Sequence, residues 1–317
     1  MPVLIFTEHS EDIIKKSSLE AISYGVALAA KLNTEAISLV VGQTKASLQS
    51  LGEYGVKKVL HADDATINTS DNQYMASIVA NAAAKLNANV VVFSNTISAK
   101  GIAPRVSVKM KAGLVSGAVS LPDITNGFVV RKNVFSGKAF ADINILSEKK
   151  IITLNSNAFE ISKPGGEASV EKFDVLSIQS SITIKAVDKI EGEIPLAEAD
   201  RVVSAGRGMK GPENWGMIEE LAKLLGAATA CSRPVSDSDW RPHHEHVGQT
   251  GLSIAPNLYI AVGISGAIQH LAGVNRSKTI VVINKDPEAP FFKSADYGIV
   301  GDAFEVVPKI IAAVKAL

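Results

Sequence analysis

The stretch Leu258-Tyr-Ile-Ala-Val-Gly-Ile-Ser-Gly-Ala-Ile-Gln-His-Leu-Ala-Gly273 decides the fold. Residues 259–264 form a short apolar run without polar alternation, as expected of a strand covered on both faces in a parallel sheet. Gly263 and Gly266 flank the strand end, Ser265 is the expected N-cap, and residues 267–271 start a helix. Such a passage from strand to helix aims unpaired backbone N–H groups and a positive dipole end at one spot, which suits a phosphate. Gln269 and His270 fall in the first helical turn, so an imidazole stands beside any anion held there.

The same grammar extends outward. In the second half, strands are expected at 201–205, 227–231, 279–284 and 297–300, with helices at 214–225, 267–272 and 303–317 and a polar loop over 232–250. In the first half, strands are expected at 3–7, 36–41, 57–61 and 90–94. Between them, Leu19, Ile22, Val26, Ala29, Ala30 and Leu32 recur at helical spacing, and short helices are expected at 46–54 and 102–110. Residues 72–86 form an amphipathic helix with Met75, Ile78, Val79, Ala82, Ala83 and Leu86 on one face. Alternating strands and helices predict a doubly wound parallel sheet. From Phe128 the period becomes two: 128–135, a Ser136-Gly137 turn and 139–146 form an expected hairpin, followed by β-like runs at 151–155, 172–178 and 182–187.

The 317 residues thus read as an α/β protein of two domains. Residues 1–193 form an N-terminal Rossmann-like, doubly wound sheet ending in mixed β strands. Residues 194–317 form a smaller C-terminal domain with a parallel sheet. Residues 189–198, with their acidic side chains and Pro195, read as the linker.

Composition narrows the function. Thirty-two basic and 32 acidic residues give zero formal charge, so there is no electrostatic footprint for nucleic acid or an anionic membrane. No apolar run approaches the ~20 residues that span a bilayer. The start Met1-Pro-Val-Leu-Ile-Phe6 lacks a basic segment, so no signal or transit peptide is expected. Cys231 is the only cysteine, which suits a reducing compartment, and a cytoplasmic location is expected.

Gly206-Arg-Gly-Met-Lys-Gly211 follows a strand and precedes a helix, as the dinucleotide fingerprint G-x-G-x-x-G requires. The fingerprint's acidic residue, expected ~20 positions on, is missing from Ala230-Cys-Ser-Arg233. A nicotinamide site and a ligand-free tight turn both stand as readings of the loop. Ser232-Arg233-Pro234 lies past a strand end, where α/β sheets collect ligands, although a solvated arginine accounts for it equally. Val247-Gly-Gln-Thr-Gly251 exposes N–H groups, an amide and a hydroxyl. His243-His-Glu-His246 offers metal-ligand chemistry, but neighbouring side chains in a loop point apart, so a solvated polar loop and no metal are expected. Cys231 reads as a small buried residue. No Ser/His/Asp set, nucleophile elbow or Walker A loop occurs, and no catalytic residue is expected.

Together these pieces resemble the FAD-binding domain of electron transfer flavoprotein alpha subunits. The resemblance is carried, in order, by Ala205-Gly-Arg-Gly-Met-Lys-Gly-Pro-Glu-Asn214, Cys231-Ser-Arg-Pro234, Val247-Gly-Gln-Thr-Gly251, the 258–273 stretch, Val282-Ile-Asn-Lys-Asp-Pro-Glu-Ala-Pro-Phe291 and Ala295-Asp-Tyr-Gly-Ile-Val-Gly-Asp302. The N-terminal domain fits by architecture more than by motif. One departure is Leu252, where many members carry a basic residue.

The resemblance implies that Arg207, Ser232, Arg233, Val247, Gly248, Gln249, Thr250, Ser265, Gly266, Ala267, Ile268, Gln269, His270, Asn284, Asp302 and Ala303 line FAD. Arg233 would lie against the isoalloxazine ring, Thr250 near its N5 edge and His270 near O2, with Arg233 and His270 favouring negative charge there. It implies a heterodimer with a beta subunit that carries AMP, electrons taken from dehydrogenases such as those of acyl-CoA in fatty acid β-oxidation, and delivery to a quinone oxidoreductase. The protein would be an electron carrier and not an enzyme. A subunit of a bifurcating, NADH-linked flavoprotein complex and an NAD-dependent dehydrogenase are the alternatives.

Overall fold

A computed structural model describes residues 1–10, 12–175, 180, 182–186 and 194–316. The chain divides into two compact units, Met1–Asp188 and Lys189–Leu317. The boundary expected at 193/194 thus compares with one at 188/189. Of the expected linker 189–198, residues 189–193 lie outside the described residues, and Leu196–Glu198 forms a single 3-10 turn.

The first unit holds strands β1 (Val3–Thr7), β2 (His9–Ser10), β3 (Ile13–Ile14), β4 (Ala36–Val41), β5 (Lys58–Ala62), β6 (Val90–Ser94), β7 (Gly113–Ala118), β8 (Val129–Val134), β9 (Ala139–Asn144), β10 (Lys150–Leu154) and β11 (Ser169–Lys172). Its helices are α1 (Lys16–Lys31), α2 (Asn72–Lys85) and α3 (Ile97–Met110). Nine strands form one sheet in the order β11-β5-β4-β1-β6-β10-β7-β8-β9. Strands β11 through β7 pair in parallel and β7-β8-β9 antiparallel, so the doubly wound sheet closes in a mixed edge as expected.

The central strands carry apolar side chains on both faces. Leu4, Phe6 and Leu39 pack into one core, while Val3, Ile5 and Val40 pack into the other. That two-sided burial explains why these strands read as unbroken apolar runs.

Several local expectations change. Helix α3 begins at Ile97, five residues before the expected start, because the Thr96 hydroxyl accepts from the Ala99 amide and caps it. The expected helix over 46–54 shortens to a 3-10 turn at Gln49–Tyr54, closed by Gly55 at φ 95°. Strand β11 ends at Lys172, whereas a strand was expected over 172–178, of which 176–178 lie outside the described residues. The strand expected over 182–187 is absent at 182–186; residue 187 lies outside the described residues.

The second unit is a parallel sheet of β12 (Arg201–Ala205), β13 (Ala228–Cys231), β14 (Leu258–Val262), β15 (Thr279–Asn284) and β16 (Tyr297–Val300). Its helices are α4 (Gly216–Leu225), α5 (Arg233–Ser236), α6 (Ile268–Val274) and α7 (Ala303–Lys315). Val203, Ala205 and Ile260 face α4 and α7, while Val202, Tyr259 and Ala261 share the opposite core with Val274 of α6 and Phe291.

The strand order is β13-β12-β14-β15-β16. The chain leaves β12 in one direction to make β13, then returns past it to make β14. The connections leaving β12 and β14 therefore run towards opposite edges of the sheet, and the carboxyl ends of two such strands are the ligand position of open α/β sheets.

Candidate functional site

A cleft of about 400 Å³ occupies that position. Its walls come from the loops after β12, β13 and β14 and from residues 246–250. The volume lies within the range of small-molecule sites.

The loop after β12 lies on the loop after β14. The Gly206 amide donates to the Val262 carbonyl at 2.9 Å and the Gly208 amide to the Gly263 carbonyl at 3.1 Å. A Cβ on Gly208 would fall 2.7 Å from the Gly263 Cα, and Gly263 has φ +62°. Both positions need glycine, for close approach and for a left-handed backbone. The nicotinamide fingerprint fits less well. A helix should spring from the glycine loop, yet two 3-10 turns intervene and α4 begins only at Gly216 instead of the expected Asn214. Gly206 lines the cleft, and Gly208 holds its loop against Gly263.

The loop after β14 is anchored by its carbonyls. The Asn284 side-chain amide donates to the Ile264 carbonyl at 3.0 Å, and the Phe291 amide donates to the Ser265 carbonyl at 3.1 Å. The N–H groups of Ser265, Gly266 and Ala267 have no protein acceptor among the described residues. Ser265 does not cap the helix as expected: Ala267 is the N-cap and contributes no side-chain bond.

Residues 246–250 form the opposite wall. The Val247 amide donates to Cys231 and the Gln249 amide to Gln269 at 2.7 Å. Behind this wall, Arg241 bonds Glu219 and the buried Glu245, whose carboxylate also accepts from Thr229. The expected solvated loop over 243–246 holds for His243 and His244, which are exposed, and is corrected for the two residues that follow. Glu245 and His246 are buried, and His246 lines the cleft. Among the described residues, no three His, Cys, Asp or Glu side chains gather as metal ligands. Cys231 is fully buried, and burial pushes its thiol up to about 12.

His270 forms part of the floor. Nε2 lies 2.7 Å from the Tyr259 hydroxyl, the Phe291 ring packs edge-on at 5.7 Å, and Nδ1 is buried without a hydrogen-bond partner. Burial pulls its pKa down to about 4, with His246 adding to the shift. The ring is therefore neutral near pH 7. It can offer a hydrogen bond but not the positive charge expected of it.

Of the expected site residues, Arg207, Ser232, Arg233, Val247, Gly248, Gln249, Thr250, Ser265, Ala267, Gln269 and His270 meet at the cleft. Gly266 and Ile268 adjoin it without lining it. Asn284 braces its loop from outside, Asp302 caps α7 through the Phe304 amide, and buried Ala303 follows it. Gly206, Pro234, His246, Gly263 and Ile264 line the cleft without having been expected there. Gly206 and Gly263 carried a sequence signal in their glycine loops, Pro234 in Ser232-Arg233-Pro234 and His246 in the histidine cluster, whereas Ile264 read only as the end of a strand.

The donor set fits an anionic dinucleotide. Open backbone N–H groups and the exposed guanidinium groups of Arg207 and Arg233 surround the cleft, and His270, whose Nδ1 is buried without a hydrogen-bond partner, lines it. FAD, with its pyrophosphate and its ring of nitrogen and oxygen acceptors, matches that set.

Comparison with known proteins agrees. The family model of the electron transfer flavoprotein FAD-binding domain matches residues 195–275, and that of the electron transfer flavoprotein domain matches residues 3–177. The chain is 37% identical to the electron transfer flavoprotein subunit alpha of Bacillus subtilis, over 99% of this chain and 98% of the relative. It is 36% identical to the same subunit of Syntrophomonas wolfei, with 98% of each covered, and 32% identical to Protein FixB of Clostridium saccharobutylicum, over 99% and 98%. The chain belongs to the electron transfer flavoprotein alpha subunit family, whose members are electron carriers rather than enzymes.

Proposed function

We propose that the cleft between the β12 and β14 loops holds FAD, and that the chain pairs with a beta subunit to shuttle electrons. The open N–H groups of residues 265–267 carry this proposal, converging with Arg207 and Arg233 on a cleft within the segment matched to the FAD-binding domain. Bound FAD supplies the one- and two-electron chemistry that the side chains lack.

The roles then follow from charge and position. The N–H groups of Ser265, Gly266 and Ala267, with Arg207, hold the pyrophosphate. Arg233 brings positive charge to the ring and raises its affinity for electrons. Thr250 offers a hydroxyl and an N–H to the N5 edge. Ser232, Val247, Gly248 and Gln249 wall off water, and His270 offers a neutral hydrogen bond near O2. Gln269 adds an amide at the rim. Ile268, Asn284, Asp302 and Ala303, off the cleft, are assigned to the rest of the cofactor.

The beta subunit is proposed to carry AMP. Dehydrogenases such as those acting on acyl-CoA are the proposed electron donors and a quinone oxidoreductase the acceptor, with the complex in the cytoplasm. Among the described residues no helix is long and apolar enough to cross a membrane. Purification of the full chain with its beta subunit tests the assignment through the visible flavin spectrum and the nucleotides released on denaturation. A yellow heterodimer that releases FAD is expected. A colourless heterodimer that takes up no added FAD overturns it.

A further inference from the structure

Tyr259 occupies the middle of the sheet, fully buried, and its hydroxyl lies 2.7 Å from Nε2 of His270. One proton sits between those two atoms, and it has two possible owners. If Nε2 donated, the phenol proton would have to turn to the neighbouring Ser204 hydroxyl, a weaker acceptor than an imidazole nitrogen. Among the described residues His270 is the one group in hydrogen-bonding geometry with that hydroxyl. A phenol is also a stronger donor than a neutral imidazole N–H, and an imidazole nitrogen is the stronger acceptor.

We propose that Tyr259 is a positioning residue for the flavin site: its O–H donates to Nε2 of His270 and keeps the ring proton on Nδ1. Nδ1 is the nitrogen that no group engages in hydrogen-bonding geometry among the described residues, and His270 lines the cleft. Tyr259 thereby turns an otherwise ambiguous imidazole into a fixed, uncharged donor. His246 and Tyr259 are the titratable groups that face the ring, and Phe291 closes the remaining side. The use made of that donor rests on the proposed FAD site, whereas the position of the proton does not.

NMR of the full chain, 15N-labelled at histidine and freed of flavin, tests the assignment; loss of signals in His270→Gln identifies the ring. The expected result is a proton on Nδ1, a bare Nε2 and no titration between about pH 5.5 and 7.5. In Tyr259→Phe the proton redistributes and the two nitrogen shifts move towards each other, an effect that loss of packing alone does not produce. A proton on Nε2 in the unaltered chain overturns the proposal, whether or not the variant folds. Identical ring shifts in a folded Tyr259→Phe also overturn it. Added FAD should move the Nδ1 resonance. A ring with the stated tautomer that ignores FAD counts instead against the flavin site, so the two failures are distinguishable.

Discussion

The Gly208 amide donates to the Gly263 carbonyl oxygen at 3.1 Å, tying the loop after β12 to the loop after β14 across the head of the cleft. Their backbones meet where no side chain fits. Gly263→Ala would place a Cβ 2.9 Å from the Gly208 Cα and force alanine into φ +62°. The strain costs about 1–3 kcal/mol. The expected outcome is a lower melting temperature in the second unit and a larger loss of flavin retention, since the cleft walls separate. Wild-type flavin content after dialysis would show that the loops tolerate separation.

Arg233 is exposed, and it pairs with Asp237, 3.2 Å away at the C-cap of the same short helix. An exposed pair contributes about 0–1 kcal/mol. Arg233→Ala should therefore leave unfolding nearly unchanged while lowering the flavin potential. If the lost charge interacts by about 1 kcal/mol, the one-electron potential falls on the order of 40 mV. Spectroelectrochemical titration checks this, and an unchanged potential would remove Arg233 from beside the ring.

Much of the second unit was legible because its strands are short and apolar and the loops after β12 and β14 begin with glycine. The strand order was not legible, since β12, β13 and β14 carry similar apolar runs and nothing local says which neighbours which. The burial of Glu245 and His246 was also hidden. It depends on Arg241, which crosses from the same loop to satisfy a carboxylate that would otherwise be costly to bury. In the first unit, β7 went unexpected because Gly113-Leu-Val-Ser-Gly-Ala118 mixes small and apolar residues without a period. Its pairing with β10, a strand much later in the chain, holds it in the sheet.

The Arg241–Glu245 pair keeps that polar wall in place and covers Cys231. Arg241→Ala would strand a buried carboxylate, which typically costs about 3–5 kcal/mol. With its thiol pushed up to about 12, Cys231 in the unaltered chain should resist alkylation at pH 8 until the protein unfolds. The variant should react faster, through local opening of the 232–250 loop. Mass spectrometry of iodoacetamide-treated samples decides between these outcomes. Rapid labelling of the folded unaltered chain would contradict the burial of Cys231.

His270 also makes a prediction about acid stability. Its folded pKa is about 4, whereas an unfolded histidine titrates near about 6.5. Between those values the unfolded chain binds more protons than the folded one, so folding stability rises with pH across the window and is lost as pH falls through it. Integrated over the whole interval, the penalty approaches about 3 kcal/mol. The chain's two tryptophans, Trp215 and Trp240, both lie in the second unit, so tryptophan fluorescence excited at the red edge, where tyrosine does not absorb, reports unfolding there. Urea titrations of the flavin-free chain should give an unfolding free energy that drops between pH 7 and pH 5 by about 2 kcal/mol through His270, beyond the loss from other groups. In His270→Gln that part of the drop disappears, although the variant is less stable at pH 7 because the Tyr259 hydroxyl loses its acceptor. Equal pH dependence in the two proteins would mean that His270 takes up its proton at an ordinary pKa, and that the cleft floor is wet.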